Sequence, residues 1–227
     1  MTELIVNNYP KSSVTEAIKT IRTNLRFSSI EKDIKTILIT SSMSGEGKSF
    51  VSANLAASYA NSNERVLLID CDLRRGRQKD IFNLKIKSHR GFSNLLLDSS
   101  KRINIKDYIN KTNIKNLDVL TTGTYPPNPT VLLESSKMEE ILKILKENYD
   151  LIILDTPPVT GLTDTLILTR LADIVLIVAR AKKTTPEILN NTKESLEKVN
   201  ATIGGVILNG TDKLDSKYYK NYYYTEE

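Results

Sequence analysis

The stretch SMSGEGKS, residues 42–49, decides the fold of this chain. It follows TILITS (36–41), whose β-branched residues predict a strand, and it leads into KSFVSANLAASYANS (48–62), which predicts a helix rich in Ala and Leu. Its glycines allow the backbone to turn so that successive amides point at phosphate oxygens, and the helix N-terminus adds partial positive charge. The stretch therefore predicts a P-loop, although Ser42 stands where the strict pattern has Gly.

A pair of acidic residues ends the next apolar run, VLLIDCD (66–72). Period-two alternation places Asp70 and Asp72 on one face of a strand end, with Cys71 turned away. Aspartates that follow a strand are often loop or cap residues. Next to a P-loop, however, they lie at the edge of the sheet where ligands bind, so we expect them to belong to a nucleotide site.

A third carboxylate, Asp155, ends the apolar run LIILD (151–155). This is the Walker B arrangement, in which a buried strand delivers one carboxylate to a Mg²⁺ shell. Within the P-loop, Lys48 is expected to reach the β- and γ-phosphates, and the Ser49 hydroxyl to ligate Mg²⁺. Three carboxylates, a lysine and Mg²⁺ predict phosphoryl transfer or hydrolysis of a nucleoside triphosphate, with the acceptor left open.

The predicted strands alternate with predicted helices, and the strands are apolar along their whole length. A parallel sheet covered by helices on both faces explains both features. We therefore expect an α/β fold, a three-layer sandwich with a mostly parallel P-loop sheet. Residues 1–214 would form this one domain, and residues 215–227 a flexible tail.

Composition narrows the classes of protein. The 40% hydrophobic and 26% charged content excludes wholesale disorder, and no apolar run approaches the roughly 20 residues that span a bilayer. A single cysteine excludes an intramolecular disulfide and suits a reducing cytoplasm. The net charge of +5 allows an anionic partner, such as a nucleotide, a nucleic acid or a membrane surface, without choosing between them.

The end of the chain, DSKYYKNYYYTEE (215–227), holds half of its ten tyrosines. Their neighbours are polar or charged, so no core-facing stripe can be drawn, and chain ends of this polarity are usually mobile. We expect these tyrosines to be presented to a partner or an enzyme. They are Tyr218, Tyr219, Tyr222, Tyr223 and Tyr224.

Taken together, these motifs resemble those of the bacterial P-loop tyrosine kinases, which serve capsule and exopolysaccharide export. The resemblance runs from about Thr15 to the tail. It rests on the segments EAIKTIRTNLRF (16–27), SSMSGEGKS (41–49) as Walker A, LLIDCDLRR (67–75) as Walker A′, PPNPTVLLES (126–135), LIILDTPPV (151–159) as Walker B, and the tyrosine-rich end.

The resemblance implies an ATP site with Mg²⁺. The residues expected to bind the nucleotide are Ser44, Gly45, Glu46, Gly47, Lys48, Ser49, Phe50 and Asn209. The catalytic residues would be Lys48, Asp70, Asp72 and Asp155, with Ser49, Asp72 and Asp155 around the metal. Asp70 is the candidate base, and the division of roles between Asp70 and Asp72 stays open. Asn209 could contact adenine or be a turn residue, and Arg74 could be catalytic or merely solvated.

The resemblance also implies partners and a location. The phosphoacceptors would be the kinase's own tail tyrosines and capsule-synthesis proteins, with an opposing tyrosine phosphatase and no nucleic acid. A homo-oligomeric ring would assemble through Glu16, Lys19 and Arg22. The family has Arg at the position of Lys19, and the lysine keeps the positive charge but lacks the bidentate guanidinium fork. We expect a cytoplasmic protein that a transmembrane activator of the polysaccharide co-polymerase type recruits to the inner face of the membrane.

Two rival functions were considered. A partition or cell-division ATPase of the related deviant-Walker type uses a second lysine near the start of the P-loop, where this chain has Ser42, Met43 and Ser44. The basic segment RRGRQK (74–79) would suit that reading, or it could be a solvated surface or a substrate groove. A non-catalytic scaffold is disfavoured because every predicted phosphate and metal ligand is present.

Overall fold

A seven-stranded sheet forms the centre of the computed structural model, which describes residues 3–28, 33–86, 90–100 and 103–211. The strand order is β3-β4-β2-β5-β1-β6-β7, and every pair is parallel except β3 with β4. The strands are β1 (Thr36–Ser41), β2 (Val66–Asp70), β3 (Asn110–Lys111), β4 (Leu117–Leu120), β5 (Leu151–Asp155), β6 (Ile174–Arg180) and β7 (Ile203–Asn209).

Helices connect the parallel strands. They are α1 (Ile5–Asn8), α2 (Ser13–Ser28), α3 (Lys48–Ala60), α4 (Gln78–Ile81), α5 (Phe92–Leu97), α6 (Pro129–Leu133), α7 (Ser136–Asn148), α8 (Asp164–Leu168) and α9 (Pro186–Glu197). Short 3₁₀ turns cover Ile105–Tyr108 and Thr169–Leu171. None of the helices in the described ranges has both the length and the apolar character needed to cross a bilayer.

Two apolar cores lie on opposite faces of the sheet. Ile37 and Leu68 point to the core shared with α2 and α3, whereas Leu38 and Leu67 point to the core shared with α5, α7 and α9. Every residue of β1, β2 and β5 is buried, because helices cover both faces. This explains why the strands are apolar throughout instead of alternating. The predicted α/β fold with a mostly parallel sheet is confirmed.

Some local details differ from the sequence-based expectation. The two-residue strand β3, which pairs antiparallel to β4, is too short to leave a periodic pattern in the sequence. The segment 126–149 contains two helices, α6 and α7, because Ser135 between them takes an extended conformation. The predicted domain end at residue 214 and the tail lie outside the described residues, so that division remains a prediction.

The N-terminal helix α1 is attached to α3 through one buried amide. The Nδ2 group of Asn54 donates to the carbonyl of Glu3 at 2.9 Å, and its Oδ1 accepts from the backbone N–H of Val6 at 3.1 Å. Asn54 is fully buried. It is the acceptor for the N–H of Val6, and it gives a second hydrogen bond to the carbonyl of Glu3, which also accepts the N–H of Ile5 at 3.2 Å.

Replacing this amide should destabilise the protein. We expect Asn54→Ala to lower the free energy of unfolding by about 2 kcal/mol, since it leaves the buried N–H of Val6 unpaired and removes a hydrogen bond to the carbonyl of Glu3. Chemical denaturation followed by circular dichroism measures the change. The matched control is Asn61→Ala, which removes an exposed amide at the end of the same helix and should change the free energy by less than about 0.5 kcal/mol. Equal effects of the two substitutions would contradict this role of Asn54.

Candidate active site

The P-loop is held in shape from inside by a buried acid. Gly45 and Gly47 adopt φ values of 80° and 97°, which only glycine takes without strain. Between them, the fully buried Glu46 accepts the backbone N–H of Met43 at 2.7 Å and a hydrogen bond from the Thr184 hydroxyl. Glu46 therefore stabilises the turn, and the backbone amides are left to face a ligand.

Residues at the ends of β6 and β7, next to β1, also hold this loop. The Lys183 ammonium donates to the carbonyl of Ser44 at 2.6 Å, and the Arg180 guanidinium to that of Gly45 at 3.1 Å. Asn209, at the end of β7, donates its amide to the carbonyl of Glu46 at 2.9 Å. A Cβ on Gly47 would stand 2.0 Å from that amide, so glycine is required there. Asn209 thus orders the P-loop, and its contact with adenine stays a prediction.

Lys48, the first residue of α3, lies buried among carboxylates. Its Nζ is 3.0 Å from Oδ2 of Asp72 and 3.5 Å from the Ser49 hydroxyl. Burial alone would lower the pKa of this ammonium, but the nearby carboxylates, Asp155 first and Asp72 next, outweigh burial and raise it. The lysine therefore stays charged. The other oxygen of Asp72 accepts the backbone N–H of Arg75 at 2.9 Å, which fixes its orientation.

Asp70 and Asp155 lie side by side because β2 and β5 pair in parallel with these residues in register. The carboxylate of Asp70 accepts the backbone N–H of Gln78 at 2.9 Å through Oδ2, while its buried Oδ1 has no partner among the described residues. Burial raises the pKa of Asp70 to about 7, and the charge of Asp155 acts in the same direction. Asp70 can therefore take up a proton near neutral pH.

The carboxylate of Asp155 is held by two residues that the sequence did not single out. Its Oδ1 accepts the Ser52 hydroxyl at 3.2 Å, and its Oδ2 accepts the Gln78 side-chain amide at 2.7 Å. The same amide donates to the carbonyl of Ser49 at 3.1 Å, so Gln78 connects β2, β5 and the P-loop helix. A lone glutamine inside a basic segment carries no sequence signal of this role.

Arg74 is paired, not simply solvated. Its Nε lies 2.8 Å from Oδ2 of the fully buried Asp164, and the hydroxyl of Thr130 donates to the other oxygen of that carboxylate at 2.7 Å. Asp164 was not predicted, because its sequence neighbours contain no pattern that distinguishes it from a helix-capping residue. The pair connects the loop after β2 to α6 and α8.

A cleft of about 710 Å³ opens over the P-loop. Most of the predicted nucleotide-site residues line it, namely Ser44, Gly45, Gly47, Lys48, Ser49, Phe50 and Asp72, with Arg74, Pro157 and Arg180 on its other sides. Four other predicted site residues do not line this cleft, namely Glu46, Asn209, Asp70 and Asp155. Their described side-chain contacts are with the protein, and their roles at the ligand stay predictions.

The oxygen donors near Lys48 suit a hard cation such as Mg²⁺. The Ser49 hydroxyl and Oδ2 of Asp72 both lie within 3.5 Å of Lys48 Nζ, which places them close together. Asp155 is already hydrogen-bonded on both oxygens, so it would act through water. In the part of the chain that the structure describes, no group of three or more His, Cys, Asp or Glu residues forms a metal site.

The predicted oligomerisation residues lie on α2 and make contacts inside the chain. Lys19 pairs with Glu16 at 2.8 Å, and the Arg22 guanidinium donates to the carbonyl of Ser58 at 2.5 Å and to the Ser62 hydroxyl. These contacts attach α2 to the end of α3. The five tail tyrosines, predicted as phosphoacceptors, lie outside the described residues.

Comparison with known proteins agrees with this site. A family profile described as an AAA domain matches residues 34–206. The chain is 39% identical over 226 residues to the putative tyrosine-protein kinase CapB of Staphylococcus aureus, covering 99% of this chain and 96% of that protein. It is 38% identical over 224 residues to the tyrosine-protein kinase YwqD of Bacillus subtilis, covering 99% and 92%.

A solved structure, that of the chimerical protein CapA2B2, superposes with a TM-score of 0.86 at 36% identity, covering 92% of this chain and 89% of that one. The kinase domain of the Escherichia coli tyrosine kinase ETK gives the same TM-score at 34% identity, covering 93% and 81%. These relatives favour the kinase over the partition ATPase considered from the sequence. The chain belongs to the bacterial P-loop tyrosine kinases, and it is an ATP-binding tyrosine-protein kinase of capsule and exopolysaccharide synthesis.

Proposed function

We propose that this kinase transfers the γ-phosphoryl group of ATP, bound with Mg²⁺, to tyrosines in its own C-terminal segment and in capsule-synthesis proteins. The observation that carries the proposal is the placement of Lys48, paired with Asp72, beside the neighbouring carboxylates of Asp70 and Asp155. A P-loop lysine and carboxylates on adjacent strand ends are the parts that phosphoryl transfer requires.

Binding and charge stabilisation come from the P-loop. Its amides and the N-terminus of α3 cradle the phosphates, and Lys48 exchanges its contact with Asp72 for the β- and γ-phosphate oxygens. Mg²⁺ would be held by Ser49, Asp72 and Asp155, partly through water. When bound, the cation neutralises charge on the phosphates.

Asp70 is the proposed base. It accepts the proton of the tyrosine hydroxyl while the phenolic oxygen forms its bond to the γ-phosphorus. The bond between that phosphorus and the β–γ bridging oxygen breaks, and ADP leaves with the electron pair. Support for Asp70 over Asp72 comes from their partners: Oδ2 of Asp72 is occupied by Lys48, whereas Oδ1 of Asp70 has no partner in the described chain.

The proposed acceptors in the tail are Tyr218, Tyr219, Tyr222, Tyr223 and Tyr224. A tail tethered to a neighbouring protomer reaches the site at high effective concentration, which favours transfer between chains. Each phosphate adds about −1.5 to −2 charges, so successive phosphates repel one another and the acidic site. Phosphorylation should therefore release the tail and loosen the assembly.

The assembly is proposed to be a homo-oligomeric ring that uses Glu16, Lys19 and Arg22 on α2. A separate transmembrane activator of the polysaccharide co-polymerase type would recruit the kinase to the inner face of the membrane, and a tyrosine phosphatase would reverse its reaction. Similarity to the chimerical protein CapA2B2 supports a second chain as partner.

Lys48→Met should abolish autophosphorylation. Methionine removes the positive charge that would lie against the β- and γ-phosphates, so labelling by γ-labelled ATP should fall by about 100-fold or more. The control is Lys198→Met, which removes an exposed lysine just after α9 and should label at the wild-type rate. Wild-type labelling of the Lys48→Met protein would exclude Lys48 as the phosphate lysine.

Asp70→Asn and Asp155→Asn should fail in different ways. Asparagine at position 70 can keep the bond from Gln78 and loses only basicity, so binding of Mg·ADP should persist while turnover falls by about 100-fold. Asparagine at position 155 has one acceptor oxygen for two donors and no charge for Mg²⁺, so the affinity for Mg·ADP should fall. Titration calorimetry separates the two variants. Equal losses of affinity would remove the case for Asp70 as the base.

Replacing the five tail tyrosines with Phe should nearly eliminate autophosphorylation and leave nucleotide binding intact, because only the acceptor hydroxyls are lost. Mixing this variant with the Lys48→Met protein should restore labelling on the tail of the Lys48→Met chain, which requires transfer between chains. Mapping of phosphotyrosine by mass spectrometry is the readout. Undiminished labelling at Tyr59 or Tyr149 in the five-Phe variant would show that the tail is not the acceptor.

A further inference from the structure

A second cleft, of about 310 Å³, lies on the other side of Asp70 from β5. Its wall is the segment after β4, which begins with Thr121 and Thr122. The residues that line it are distinct from those of the P-loop cleft, and the loop after β2 separates the two, with Gly76 facing the second cleft and Arg75 and Arg77 facing the first. Both clefts therefore meet at the end of β2, where Asp70 and Asp72 stand.

The floor of this second cleft carries three polar oxygens without partners. Oδ1 of Asp70 and the hydroxyls of Thr121 and Thr122 are buried and make no hydrogen bond within the described residues. The three residues are only 1%, 3% and 6% exposed. Buried polar atoms in folded proteins nearly always have a partner, so a cluster of three indicates a site for a hydrogen-bonding ligand.

The backbone around the cleft is built to hold these groups close together. A Cβ on Gly76 would lie 1.8 Å from the Thr122 hydroxyl and 2.8 Å from Oδ2 of Asp70, so only glycine permits this approach. The carbonyls of Thr121 and Thr122 accept the N–H groups of Phe92 and Ser93 at 2.7 and 2.9 Å, which anchors the threonine pair to α5. The hydroxyls are thus fixed on a rigid wall.

We propose that this second cleft receives the ring of the acceptor tyrosine, with the phenolic hydroxyl between Asp70 and the two threonines. The phenol donates its hydrogen bond to Oδ1 of Asp70, and one of the two threonine hydroxyls donates to the phenolic oxygen, which leaves a lone pair of that oxygen to face the γ-phosphorus. As the proton moves to Asp70 and the bond to the γ-phosphorus forms, this donor keeps the phenolic oxygen in position. This inference rests on the proposed transfer to tyrosine and adds the residues that position the acceptor.

The rest of the cleft suits an aromatic ring followed by acidic residues. Ile86 is half-buried and Tyr125 is exposed, and both contribute apolar surface to the lining of the cleft. Lys79 and Arg90 bring positive charge to the rim, against the single acid Asp80. The buried floor is out of reach for a short serine side chain, whereas a tyrosine places its hydroxyl a full ring away from the backbone. The chain's own segment NYYYTEE (221–227) has this chemistry, with tyrosines followed by two glutamates.

A binding cycle tests the proposal without requiring turnover. Fluorescence anisotropy with the full chain and Mg·ADP compares a labelled NYYYTEE peptide with NFFFTEE, which lacks the hydroxyls. Wild type should bind the tyrosine peptide about tenfold more tightly, the effect expected for a hydrogen bond to buried groups. In the double variant Thr121→Val/Thr122→Val, the ratio of the affinities for the tyrosine and phenylalanine peptides should fall towards one. In Thr121→Ser/Thr122→Ser, which keeps both hydroxyls, this ratio should return to the wild-type value. The matched control is Thr202→Val, an exposed threonine just before β7, which should keep the wild-type ratio.

Kinetics give a second readout. With the Lys48→Met chain as the acceptor, the valine double variant should raise KM for that chain about tenfold, and the serine double variant should keep KM within about twofold of wild type. The proposed acceptor site would be overturned if the valine double variant kept the wild-type ratio of affinities for the tyrosine and phenylalanine peptides. An unchanged KM for the acceptor chain would overturn it as well. A wild-type protein that shows the binding ratio and yet transfers no phosphate to tyrosine would instead contradict the proposed function and leave the binding site standing.

Discussion

Two buried carboxylates, Asp70 and Asp155, stand side by side at the ends of neighbouring strands, and the rest of the site serves to hold them there. Their adjacency follows directly from the parallel register of β2 and β5. Burial raises the pKa of Asp70 to about 7, and the neighbouring charge of Asp155 acts in the same direction. Such a pair persists only where cations and hydrogen-bond donors compensate it.

The compensation comes from two residues of different kinds. Lys48 supplies the positive charge, and the surrounding carboxylates keep its pKa raised despite burial. Gln78 supplies hydrogen bonds, from its backbone to Asp70 and from its side chain to Asp155. If the nucleotide binds through Lys48 as proposed, it would draw this positive charge away from the cluster, and substrate binding would be coupled to the state of the carboxylates.

The conformation of the P-loop depends on residues at the ends of β6 and β7 as much as on its own glycines. Lys183, Asn209 and Thr184, which lie on or near β6 and β7, all contact the loop between Ser44 and Glu46. The loop is therefore preorganised before a ligand arrives, and its amides need little rearrangement to face phosphate. On the other side of Asp70, the anchored Thr121–Thr122 segment provides a comparable fixed wall.

The sequence by itself determined the sheet, the P-loop and the identity of the charged residues, because apolar strands, glycines and strand-terminal acids each leave a local pattern. It could not predict Gln78, Asp164 or the threonine pair, whose roles depend on neighbours far away in the chain. It also could not predict that Glu46 and Asn209 hold the P-loop from behind, and their contacts with a nucleotide remain predictions. Those contacts were decided by tertiary structure alone, because the parallel register brings distant strand ends to one edge, and side-chain hydrogen bonds across that edge have no period along the sequence.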